Sequence, residues 1–106
     1  MIDEMAAVDM MNDIISTAKE APAGWDITEQ GLEIIQLLLD KNIAYGNSFQ
    51  APLSVFSKVS KEEQLNVRID DKLNRLKNGS EYPGDDTVLD LVGYLILLLV
   101  LRRKNQ

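Results

Sequence analysis

The chain has 106 residues, enough for one domain around one core, and its 45% apolar and 26% charged residues are ordinary globular composition. A net charge of −6 excludes a nonspecific grip on a nucleic-acid backbone, which needs clustered Lys and Arg. There is no Cys and no His, so a disulfide, a thiolate or imidazole metal site and a Ser-His-Asp triad are all excluded.

The first element is a helix over 3–19. Met5, Val8, Met11 and Ile15 form its apolar stripe, with Ile14 beside it. Acids among these apolar residues, with no basic start, do not make a signal peptide. Ala21-Pro22-Ala23-Gly24 ends the helix, and Trp25 opens the next stretch. A second helix is expected over 28–44, with Thr28 as N-cap and Leu32, Ile35, Leu38 and Leu39 on one face.

Gly46 and Asn47 then break the chain and suit positive φ. Pro52 is expected to start a short helix holding Leu53, Val55 and Phe56. Ser60 with Glu63 reads as a capping box for a third helix over 61–78, and Gly79 suits its C′ position. Leu65, Ile69, Leu73 and Leu76 mark the apolar face of that helix. A turn over 80–84 leads to the fourth helix, over 86–103. The run Val88–Leu101 is apolar nearly all round but falls short of the roughly 20 residues a membrane span needs. It reads as a central helix buried on most sides. No alternating strand pattern occurs. The expected fold is all-α: a single domain, 1–106, forming a compact bundle of four main helices plus a short one. Residues 1–24 supply its N-terminal helix and turn, and the chemistry concentrates in 41–95.

Asp86 and Asp90 lie four apart, on one side of the fourth helix. An Asp inside an apolar helix must be paired, protonated or bound to a metal. Asp86 reads equally well as an acid at the positive end of the helix dipole. Asp90 reads equally well as half of a buried ion pair with Arg68, Lys72 or Arg75. Asp70 and Asp71 point about 100° apart on the third helix, so one faces the site and the other water. Any metal is a hard ion on oxygen ligands, Mg²⁺ most simply. Lys41, Asn42 and Tyr45 combine a cation, an amide and a phenol in one loop, which suits a nucleotide; the plain reading is a folded turn with Tyr45 and Phe49 in the core.

The blocks KNIAYGNSF (41–49), PLSVFS (52–57), VRIDDKLNRL (67–76) and DDTVLDLVGYL (85–95) resemble a small bacteriophage and prophage domain, the nucleotide modification associated domain of type one. The resemblance implies phage or prophage origin, a cytoplasmic location in the bacterial host and a link to nucleotide metabolism or base modification. The run Asp90-Leu91-Val92-Gly93-Tyr94 is also similar to the tail of the second acidic motif in MazG-type all-α nucleotide pyrophosphohydrolases. Those enzymes hold Mg²⁺ on facing helices through E-x-x-E and E-x-x-D pairs. Here Asp86 precedes Asp90 by four rather than three, Asp71 is followed at three by Asn74, and Glu29 and Glu33 are four apart.

Two functions follow. In the first, Asp71, Asp86 and Asp90, with Glu33, hold Mg²⁺. Lys41, Lys72 and Arg75 bind the phosphates of a nucleoside triphosphate cut to monophosphate and pyrophosphate, and Asn42 and Tyr45 hold the nucleoside. In the second, a non-catalytic module binds a partner or a nucleotide, and the acids and bases, Arg68 and Asp70 included, form structural ion pairs. No catalytic residue is assigned. The apolar surface of the fourth helix and the Met-rich first helix lead to an expected homodimer, with no membrane contact.

Overall fold

A computed structural model describes residues 2–79 and 82–104. The expected turn over 80–84 lies partly outside these. The protein is all-α, with α1 at Glu4–Glu20, α2 at Gly24–Ala44, α3 at Lys61–Asn78 and α4 at Thr87–Lys104. No strand occurs among the described residues, and no helix is long and apolar enough to cross a membrane. The chain divides into two units, Met1–Leu37 and Leu38–Gln106.

In the first unit, Asp3 caps α1 by accepting from the Ala6 N–H at 2.8 Å. The helix stops where Pro22 forces Ala21 into extended backbone, φ −70° and ψ 138°. Here the structure differs from expectation. Thr28 is not the N-cap of α2, because the helix already runs from Gly24 and the Thr28 hydroxyl donates back to the Gly24 carbonyl at 2.7 Å. Residues 21–23 complete the whole turn, and Gly24 makes it fit. A Cβ on Gly24 would lie 1.9 Å from the Ala18 carbonyl oxygen. Ala18 and Gly24 are the buried residues at this corner, while Met5, Val8, Met11 and Ile15 stay exposed along α1.

The second unit is built on α3 and α4, the pair of helices that pack side by side. Ser60 caps α3 by accepting from the Glu63 N–H at 3.1 Å, and Gly79 closes it in the left-handed region at φ 67°. Leu65, Leu98 and Leu101 form the buried cluster, with Phe49, Ile69, Tyr94 and Leu97 packed on it. One detail corrects the sequence expectation. Lys72, not Leu73, is the buried residue of the third turn of α3, and Leu73 and Leu76 are exposed. The Lys72 stem covers apolar surface while its ammonium meets a carboxylate of α4. The apolar run of α4 is buried or half-buried on most sides, as expected, except for one stripe. Thr87, Gly93, Leu98 and Leu101 are buried, but Val88, Leu95 and Leu99 face solvent.

Between α2 and α3 the chain turns through Gly46 and Asn47, both left-handed at φ 62° and 64°. The Asn47 side-chain oxygen accepts from Asn42 Nδ2 at 2.9 Å and Gln50 Nε2 at 3.3 Å, and its carbonyl accepts from the N–H groups of Gln50 and Ala51. This self-bonded turn brings Phe49 onto the core. The short helix expected from Pro52 does not form; residues 52–58 are bends and irregular chain. Ser54 sits at φ 55°, outside the helical region, and Leu53, Val55 and Phe56 are exposed, so no packing offsets the cost of nucleating one turn.

Candidate functional site

Three acids of the sequence argument, Asp71, Asp86 and Asp90, fall along the α3–α4 seam, each with a partner. Lys72 Nζ lies 3.4 Å from Asp90 Oδ2, with the Lys side chain 11% exposed and that of Asp 29%. This is the ion pair expected of an Asp set one turn into an apolar helix. Toward the open end of the seam, Arg75 spans two carboxylates, Asp71 at 3.2 Å and Asp85 at 3.5 Å. Asp86 precedes α4, and its Oδ1 accepts from the Leu89 N–H at 3.0 Å, a helix N-cap bond. Arg102 closes the other end of the seam on Glu62 at 3.1 Å. The result is a row of cation–carboxylate contacts that fixes α3 against α4.

Among the described residues, no three carboxylates gather as a ligand set for an ion. As placed, Asp71 and Asp90 face cations and Asp86 caps its helix. Glu33 is exposed on α2 within the Met1–Leu37 unit. Lys72 and Arg75, read as phosphate ligands, are already taken up by Asp90, Asp71 and Asp85. Asn42 is tied to Asn47, while Lys41 and Tyr45 are exposed on the last turn of α2 and just beyond it. Asp70 is exposed and makes no ion pair among the described residues, where a structural pair was expected.

Arg68 also departs from expectation. It makes no ion pair among the described residues and instead lines a cavity of about 320 Å³ in the second unit. Lys61, likewise unpaired among these residues, lines the same cavity. They stand seven residues apart, two turns along one face of α3. Ser48 and Ser54 offer hydroxyls, and Gln64 Nε2 reaches Ser54 Oγ at 3.4 Å and the Val59 carbonyl at 3.3 Å. Phe49, Leu65 and Leu97 give the apolar wall. The lining holds two cations and no carboxylate, in a chain whose net charge is −6. The sequence argument assigns Arg68 to an ion pair, with Asp90 among the acids, and so does not connect it with Lys61. The available signal was the i, i+7 spacing of Lys61 and Arg68 beside a Ser-rich turn.

No family model matches this chain, and neither a curated protein nor a solved structure matches it.

Proposed function

We propose that the chain is a non-catalytic, nucleotide-binding helical module of a phage-type nucleotide- or DNA-modification system. The observation that carries this reading is the cationic cavity beside α3. Arg68 offers a planar fork for a phosphate, and Lys61 a second positive charge two turns away. Phe49 and Leu97 offer apolar surface to a base, and the Ser hydroxyls and Gln64 amide supply polar contacts. The blocks of the phage-domain resemblance contribute Ser48, Phe49, Pro52, Leu53, Ser54 and Arg68 to this lining. The acids on the seam act in this reading as a structural network. Lys72, Arg75 and Arg102 hold them in place, and that work is separate from ligand binding.

Titration calorimetry with nucleoside mono- and triphosphates, with and without Mg²⁺, tests the proposal. The expected result is micromolar to millimolar binding that Arg68→Ala weakens about tenfold, the loss of one charge-assisted contact. Asp90→Asn should lower thermal stability and leave the affinity of the folded fraction unchanged. Release of pyrophosphate from a triphosphate with Mg²⁺, abolished by Asp90→Asn, would replace this reading with that of a pyrophosphohydrolase.

A further inference from the structure

We propose that α4 carries a self-complementary seam on which a second copy of this chain docks antiparallel. The helix has two faces half a turn apart. Asp90, Tyr94, Leu97 and Leu101 recur at steps of four, three and four and meet α3. Val88, Val92, Leu95 and Leu99 recur at four, three and four on the opposite side, since each residue advances about 100° around the axis. The first face is covered. The second is open at three of its four positions, with Val88 59% exposed, Leu95 42% and Leu99 65%, while Val92 is half-buried. A 4-3-4 apolar spacing is the pattern of one helix packing along another.

The ends of α4 select both the occupant and its direction. Asp85 and Asp86 stand at the head, Asp85 also meeting Arg75 and Asp86 capping the helix, and Arg102, Arg103 and Lys104 stand at the tail, Arg102 also meeting Glu62. Arg103 and Lys104 make no ion pair among the described residues. Two copies running antiparallel about a twofold axis between Gly93 and Tyr94 set Val88 opposite Leu99 and Val92 opposite Leu95. The same register brings the acidic head of each helix to the basic tail of the other, and opposes the two helix dipoles favourably. A parallel pair would set head against head and tail against tail. The interaction is isologous, so one apolar stripe and two charged ends suffice.

The seam lies away from the cavity lining on α3, so the proposal does not depend on nucleotide binding. The full chain is measured by light scattering across micromolar concentrations. The expected mass is twice 11.9 kDa, falling to that of one chain in the Leu95→Glu, Leu99→Glu variant with helical circular dichroism retained. Because the native chain has no Cys, orientation is read by oxidative cross-linking at exposed positions that leave the core intact. A mixture of Val88→Cys and Leu99→Cys chains should give a mixed disulfide in preference to either symmetric product. A monomer at all concentrations overturns the proposal. So do a dimer that withstands the double Glu variant, which would place the interface elsewhere, such as the α1 face, and symmetric Val88→Cys products, which would make the helices parallel.

Discussion

At the scale of single residues, the Lys72–Asp90 pair is where the physics is most constrained. Lys72 is nearly buried and its ammonium meets the Asp90 carboxylate. Removing Asp90 strands an ammonium against apolar side chains. Asp90→Ala should cost about 2–3 kcal/mol, below the value for a fully buried pair because Asp90 keeps partial solvent contact. Lys72→Met combined with Asp90→Leu should recover most of that loss, since an apolar pair of similar volume avoids both desolvation costs. Urea denaturation of Lys72→Met, of Asp90→Leu and of the double variant closes the cycle. Unchanged midpoints for Asp90→Ala and Asp90→Asn would mean that the pair contributes nothing. The need for a partner at Asp90 was legible in the sequence, because its flanking residues are apolar. Which cation answers it was not. Arg68, Lys72 and Arg75 all lie within two turns, and the rotation of α3 about its axis decides among them.

At the scale of elements, local signals predicted what local bonds control. The Ser60 N-cap bond, the Gly79 terminator and the left-handed Gly46-Asn47 turn all appear in the structure as expected, because each is settled by bonds within a few residues, whereas the Glu63 carboxylate of the expected capping box accepts from Asn66 instead. The start of α2 and the segment after Pro52 differ from expectation because packing, not the local signal, decides them. Thr28 has the chemistry of an N-cap, but the close approach of Gly24 to Ala18 fixes the corner and starts the helix a turn earlier. Pro52 suits a first helical position, but Leu53 and Phe56 find no surface to bury against. The two glycines of α2 test this account with opposite signs. Gly31 has nothing within 4 Å of an added Cβ, so Gly31→Ala should stabilise by about 0.5–1 kcal/mol through helix propensity. Gly24→Ala drives a methyl into backbone that cannot swing aside, and should destabilise by about 1–3 kcal/mol. Thermal unfolding followed by circular dichroism separates them. Equal and favourable effects would show that the α1–α2 corner opens without cost.

At the scale of the whole molecule, burial is concentrated where two helices share a seam. Composition and periodicity reveal four helices but not which faces meet, because α4 is apolar nearly all round and presents candidate seams on several sides. The α3 partner selects the face bearing Asp90, Tyr94 and Leu101, guided by the cations it supplies. Among the described residues, the first unit has the Ala18–Gly24 corner as its buried centre, whereas the second has the Leu65, Leu98 and Leu101 cluster together with its ion pairs. Local opening free energy follows buried apolar contact, so the two units should differ in amide protection. Native-state hydrogen exchange should find the slowest amides in α3 near Leu65 and Ile69 and in α4 from Tyr94 to Leu101. Those of α1 should exchange fastest among the helices, since Met5, Val8 and Met11 lie open beside them. The pattern should persist on dilution for α3, whose protection comes from its own chain. Protection across the outer stripe of α4 should fall with concentration as second copies leave. Equal protection of α1 and α4 at every concentration would show that the Met-rich face is covered in solution, and that stability is spread along the chain rather than centred on the α3–α4 seam.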